Sequence, residues 1–170
     1  MRFEAEERVD APAEWAFARL SDTAAIEAAA RRRGLEVVRE GPPAAAAGAA
    51  WRVGFPLGGA RREARVTVAE HEPPRRMRLS ADAGGVAGDL VVEVVPEGPD
   101  ACRLAVSADL AGSGLRGRAM MQPLRLARGR IGERFARAVE DAAAALSRRR
   151  AAGGGGGRRP QAAARRGSAG

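Results

Sequence analysis

Hydrophobic and polar side chains alternate at the start of the chain. Phe3, Ala5, Glu7 and Val9 fall on one side and Glu4, Glu6 and Arg8 on the other, the pattern of a half-exposed strand. Asp10-Ala11-Pro12 breaks it. Proline is tolerated in the first turn of a helix, where its missing N–H has no bond to lose, and Trp15, Phe17 and Leu20 follow as a short amphipathic helix. Ser21 or Asp22 can cap a second helix, with Ala25, Ile26, Ala29 and Ala30 as its apolar positions and Gly34 at its end. From Leu35 to Leu110 the period becomes two. Leu35-Glu36-Val37-Val38 reads as a strand. After a loop of Gly41-Pro42-Pro43 and an alanine run to Gly48, Trp51, Val53 and Phe55 share a face. Gly58-Gly59 signals a hairpin, and the returning strand sets Ala64, Val66 and Val68 against Glu63, Arg65 and Thr67. His71-Glu72-Pro73-Pro74 turns the chain again. Met77, Leu79 and Ala81 then alternate with Arg76, Arg78 and Ser80; Leu90, Val92 and Val94 follow Gly84-Gly85; Cys102, Leu104, Val106 and Ala108 follow Gly98-Pro99-Asp100. About seven strands joined by tight turns predict an antiparallel sheet with one covered face.

The cover is legible too. Between Gly114 and Leu146, apolar Met120, Leu124, Ala127, Ile131, Phe135, Ala138, Ala142 and Leu146 recur at steps of three or four, one stripe on a 3.6-residue helix. Arg118, Arg125, Arg130 and Arg137 fall off it. Pro123 removes a backbone hydrogen bond within the pattern and predicts a kink there. A helix this long must bury its stripe, and the strand-rich middle of the chain is the surface available. The expected fold is α+β: a curved antiparallel sheet, two short helices after the first strand, and a long C-terminal helix across the sheet, with room for a ligand between helix and sheet.

This order of elements resembles the START-like helix-grip superfamily, also called SRPBCC or polyketide cyclase-like proteins. The segment Val9-Asp10-Ala11-Pro12-Ala13-Glu14-Trp15-Ala16-Phe17-Ala18-Arg19-Leu20-Ser21-Asp22 is similar to that family's opening motif, a strand ending at Ala-Pro and a helix ending in Leu-Ser-Asp. Glu72-Pro73-Pro74-Arg75-Arg76-Met77 is similar to its Pro-Pro-x-Arg-Leu turn between central strands. The resemblance covers about residues 1–147. It implies an apolar cavity under the helix for a lipid, sterol, polyketide or quinone, which some members cyclise or dehydrate. Both motifs are structural, and a shared fold does not choose among those activities.

Charge changes the picture less than its sum suggests. The formal charge is +8, but residues 1–147 carry 22 Arg against 21 Asp plus Glu, while residues 148–170 carry seven Arg and no acid. The domain, placed at 1–147, is nearly neutral, and the basic excess belongs to a tail at 148–170. That tail, with five consecutive glycines from Gly153, is expected to be disordered because it cannot bury enough apolar area to offset chain entropy. All the basic residues are Arg, with no Lys, Asn or Tyr, a compositional bias that weakens any functional reading of arginine abundance. One cysteine, Cys102, excludes an intramolecular disulfide and a CxxC metal site. Without an apolar run of about 18 residues or a basic leader, the expectation is a soluble cytoplasmic protein.

Alternation sorts the candidate site. Trp51, Val53, Phe55, Val66, Val68, Met77, Leu79, Leu90, Val92, Leu104 and Val106 face the helix, which contributes Leu124, Ala127, Ile131 and Phe135, and together these are the expected ligand-binding residues. Trp51 and Phe55 either stack on the ligand or fill the core. Arg52, Glu63, Arg65, Arg76, Arg78, Glu93 and Arg103 point outward. No acid–base pair or nucleophile beside a base is left inside, so no catalytic residue, metal site or cofactor is assigned. His71 reads as an exposed turn residue, Cys102 as packing, and Glu70, in phase with Val66 and Val68, as a rim carboxylate. Gly84-Gly85-Val86-Ala87-Gly88 lacks phosphate-loop spacing and reads as a turn followed by a bulge glycine. The leading expectation is binding of a small hydrophobic molecule, lipid, polyketide or quinone-like. The alternatives are a cyclase or dehydratase working through Glu70, His71 or a rotated Arg, and an RNA or anionic membrane held by the tail arginines. No aromatic residue interleaves with those arginines to stack bases, which favours a solvated tail.

Overall fold

The computed structural model describes residues 1–41, 47–57 and 59–154. Most of the expected loop before Gly48, one glycine of the expected hairpin pair, and the tail beyond Gly154 lie outside the described residues. Strand β1 (Arg2–Val9) is followed by helices α1 (Ala13–Leu20) and α2 (Thr23–Arg32). Strands β2 (Glu36–Glu40), β3 (Ala50–Leu57), β4 (Ala60–Glu72), β5 (Arg76–Asp82), β6 (Val86–Gly98) and β7 (Ala101–Gly112) come next, then α3 (Gly114–Leu126) and α4 (Arg128–Gly154). The seven strands form one curved antiparallel sheet in the order β1-β7-β6-β5-β4-β3-β2. The expected helix-grip architecture is therefore present.

Period-two sorting explains both faces of the sheet. On the inner face, Val9, Val68, Met77, Val92, Val94, Cys102 and Leu104 are buried together with Ala13, Ala16 and Phe17 of α1 and Val139, Ala143 and Leu146 of α4. On the outer face, charges of opposite sign meet across strands. Glu40 accepts from Arg52 and lies 3.5 Å from Arg65, bridging two arginines that are direct cross-strand neighbours. Arg78 and Arg76 share Glu70 at 2.9 and 3.3 Å, Arg76 also reaches Glu93 at 3.0 Å, and Arg103 lies 3.3 Å from both Glu6 and Glu97. Each exposed pair is worth little alone. Together they hold ionisable groups on the convex side.

Local signals end the short helices. Asp22 rather than Ser21 caps α2, its carboxylate accepting from the Ala25 N–H at 3.1 Å. Gly34 closes the same helix at φ 80°, with Gly34 N–H on Arg31 O and Leu35 N–H on Ala30 O, the paired bonds of a Schellman end. Gly34→Ala is expected to lower stability by about 1 kcal/mol, because a Cβ disfavours the left-handed region. A urea denaturation midpoint unchanged by that substitution would contradict the assignment.

The C-terminal helix differs from expectation in three ways. It is two helices, and the break comes at Ala127 rather than at Pro123, which lies inside α3. Docking explains the position: α3 packs on β7 and β6 near Gly85 and Gly112, whereas α4 lies chiefly along β1, with Phe135 6.0 Å from Phe3. One straight rod cannot serve both surfaces. The buried positions are Gly117, Met121, Val139, Ala143 and Leu146, and Ala138 is exposed. Valine at 139 has more apolar surface to hide than alanine at 138, so it takes the inward place. Finally, 148–154 continue α4 instead of opening a disordered tail. Ser147 Oγ accepts from Asp10 N–H at 3.0 Å, and Trp15 lies between Arg19 and Arg150 at 5.5 and 6.0 Å, which pins this end of α4 to the β1–α1 turn. No helix among the described residues is long and apolar enough to cross a membrane.

Candidate functional site

Because α4 covers β1 and β7 and α1 lies over β6 and β7, the inner face of β3, β4 and β5 is left to α2, which packs on the edge strand β2. The result is an apolar hollow between α2 and strands β3, β4 and β5. Trp51 and Val53 line it from β3, Val66 and Val68 from β4, Met77 and Leu79 from β5, Val37 from β2, and Thr23, Ile26, Glu27 and Ala30 from α2. The register makes the floor: Trp51 lies opposite Val66, Val68 opposite Leu79, and Val37 opposite Val53. Small Ala30 on the roof leaves volume that a larger residue would fill. The hollow is partly open to solvent and has a volume of about 80 Å3. Larger hollows of about 660 and 620 Å3 flank Glu14 and Pro74, but they are open troughs, the larger walled by Glu72, Arg75, Arg76 and Glu93.

One polar cluster holds the roof down. The Glu27 carboxylate, 12% exposed, accepts from Trp51 Nε1 and from Arg39 Nε, both at 2.7 Å, and from Arg31 at 3.3 Å. Arg39 also donates to Thr23 Oγ1 at 2.9 Å and lies over the Trp51 ring at 5.6 Å, and Arg31 donates to Val37 O at 3.1 Å. The hydrogen bond from Trp51 is the largest influence on Glu27. Burial opposes it, but the hydrogen bond and charge of Arg39 and the charge of Arg31 leave the carboxyl below its ordinary value. Its oxygens are engaged and its proton is held off, so it is a strut rather than a proton carrier.

The structure gathers six of the expected site residues, Trp51, Val53, Val66, Val68, Met77 and Leu79, around the hollow. Leu90 and Val106 continue the same face half-buried, and Val92 and Leu104 are core. Leu124, Ala127, Ile131 and Phe135 are half-buried on α3, the elbow and α4, and none of them lines the hollow. Phe55 lies toward the hairpin end of β3, opposite Arg62. The space expected beneath the C-terminal helix is beneath α2 instead, because α4 sits over the other side of the sheet. Sequence reasoning missed Glu27, Thr23, Arg39 and Val37. The alternation of β2 and the apolar stripe of α2 could have pointed to Val37, Ile26 and Ala30, but nothing local marks Glu27 as the partner of Trp51.

A β-bulge corrects two further assignments. The β4–β5 register shifts between Val68 and Glu70, and the phase of β4 inverts there. Glu70 turns outward to Arg76 and Arg78, while His71 turns inward, half-buried, with its ring 5.6 Å from that of Phe17. His71 is thus not an exposed turn residue. Its Nε2 is buried and has no hydrogen-bond partner among the described residues. Cys102 is fully buried, and burial, with Glu97 adding to it, pushes its thiol up, away from the reactive thiolate. Gly88 is not a bulge glycine: it pairs in register with Ala81 and Leu110, and a Cβ there would come within 2.8 Å of Leu110 Cδ2.

No protein-family model matches the sequence, and no curated protein matches it. Solved structures do. A truncated norcoclaurine synthase from Thalictrum flavum is similar with a TM-score of 0.61 at 17% identity, over 86% of this chain and 92% of its own. The Zhui aromatase/cyclase from a Streptomyces species is similar with a TM-score of 0.60 at 15% identity, over 92% and 98%. A START superfamily protein from Mycobacterium smegmatis is similar with a TM-score of 0.52 at 16% identity, over 82% and 97%. At these identities the likeness is one of fold. The sheet, the gripping helices and these neighbours agree: the chain has a helix-grip fold similar to that of the aromatase/cyclase and START superfamily structures.

Proposed function

We propose that this chain binds a small apolar molecule in the hollow between α2 and strands β3 to β5. The observation that supports it most is the half-buried state of inner-face Val53, Val66, Leu79, Leu90 and Val106, apolar side chains on a concave surface that the helices do not fully cover. All the lining apart from Thr23 and Glu27 is apolar. Size narrows the ligand. A hollow of about 80 Å3 is about half the 150 Å3 in which an engineered apolar cavity accepts benzene. The deeply held part is therefore a short alkyl group or the edge of a ring, with the rest lying along the groove toward Leu90. Aromatase/cyclase and START superfamily neighbours with the same fold are consistent with such a ligand. Binding is preferred over cyclase or dehydratase chemistry because the one carboxylate at the hollow, Glu27, is committed to Trp51, Arg39 and Arg31.

Trp51 lines the hollow and the only other tryptophan is Trp15, so a Trp15→Phe variant reports on occupancy. Titration with naphthalene is expected to shift Trp51 emission saturably. Val66→Phe, which fills the space, is expected to weaken that response about tenfold, the cost of excluding a small apolar group. An unsaturable response, together with an organic extract of the purified protein that holds no small molecule by mass spectrometry, would count against the proposal.

A further inference from the structure

The arginines differ in how closely acids balance them along the chain. Those of the sheet's outer face are matched by carboxylates, as in Arg52 with Glu40 and Arg78 with Glu70. Between Asp109 and Glu133 there are five arginines and no acid. Among the described residues, Arg116, Arg118, Arg125, Arg128 and Arg130 make no ion pair. Arg118 only donates to Gly114 O of its own helix, at 3.1 Å.

Helix α3 carries this charge on a surface with a second feature. Its buried face presents Gly117 and Met121 to the sheet. On the opposite face, Leu115, Ala119, Gln122 and Leu126 follow one another at steps of four, three and four, so they form one row on a 3.6-residue helix. Leu115 is 85% exposed and Leu126 91%. At 100° per residue, Arg118 and Arg125 flank this row on one side and Arg116 on the other. Arg128 follows directly after the elbow.

We infer that α3 and the elbow dock this chain in the plane of an anionic phospholipid bilayer. Two exposed leucines on one face of the helix, with arginines to either side, match the boundary of such a membrane: the leucines enter the acyl layer and the arginines pair with phosphates beside it. Nucleic acid offers the phosphates but no apolar layer for Leu115 and Leu126. A protein groove that took the leucines would also need acids along both edges. None of the residues lining the hollow comes from α3, so docking and ligand binding can fail independently.

The test is sedimentation of the full chain with vesicles of phosphatidylcholine alone and of phosphatidylcholine mixed with phosphatidylglycerol. Binding is expected only to the anionic vesicles. Leu115→Ser with Leu126→Ser is expected to weaken it about tenfold or more without changing the thermal midpoint, since both side chains are already exposed. The tail variant R158Q/R159Q/R165Q/R166Q is expected to keep most of the binding. Equal binding by the leucine variant, equal binding to both vesicle types, loss confined to the tail variant, or preferential binding to poly(U) would each overturn the inference.

Discussion

Replacing Gly117 by alanine is expected to lower the unfolding free energy by roughly 3 kcal/mol or more, with α3 the first element to loosen. A Cβ on Gly117 would overlap the Gly85 carbonyl oxygen and stand 2.9 Å from its carbon and 3.2 Å from the carbonyl carbon of Gly112. Those are backbone atoms, and they cannot rotate away as a side chain would. From the other side, a Cβ on Gly112 would meet the Gly117 oxygen at 2.5 Å and Met121 Cγ at 2.7 Å. Three glycines let the helix backbone rest against the end of β7 and the β5–β6 turn, and Ser113 N–H, bonded to Gly85 O at 2.8 Å, ties the joint. Gly129 is the control. Nothing lies within 4 Å of a Cβ there, so Gly129→Ala is expected to be neutral or to stabilise by up to about 1 kcal/mol. Urea denaturation measures both, and hydrogen exchange of the α3 amides locates the loss. Equal midpoints for the two variants would refute the close approach.

Removing the Glu27 carboxylate is expected to cost about 2 to 3 kcal/mol at neutral pH in Glu27→Ala, and roughly half of that in Glu27→Gln, which still accepts from Trp51. In the alanine variant Trp51 and Arg39 both lose an acceptor in a half-dry setting. The pH dependence follows from the lowered carboxyl. The charged form is favoured in the folded state, so its contribution is complete above the ordinary glutamate value of about 4.3. It is lost as the pH falls through that value toward the folded one. The stability gap between the native chain and Glu27→Gln should therefore narrow as the pH is lowered from 6 toward 3. A gap that stays constant over that range would remove the carboxylate from the account. Since Glu27 fastens α2 over the hollow, the same substitution should quicken the exchange of a bound apolar probe.

The expected ligand surface illustrates how far pattern reading reaches. Trp51, Val53, Val66, Val68, Met77 and Leu79 share a face because side chains alternate on a strand, and that much is arithmetic on the sequence. Which helix covers them is not. Periodicity shows that α4 has an apolar stripe but not that Phe135 meets Phe3 at the β1 side of the sheet, leaving β3, β4 and β5 to α2. His71 and Glu70 show the same limit on a smaller scale. A single extra residue at the β4 bulge exchanges their faces, and such a bulge has no sequence marker at Ala69.

By itself the sequence determined the seven strands, the order of elements, the sorting of most strand charge to one face and the largely apolar character of the other, because these follow from residue periodicity, turn chemistry and helix ends, all local. The tertiary structure alone decided where the hollow lies, that Glu27 reaches Trp51 and Arg39, that the C-terminal helix bends at Ala127, and that Leu115 and Leu126 stand outside. These depend on how elements distant along the chain compete for one concave surface, and neither the winner nor the apolar side chains left over can be read from any single stretch.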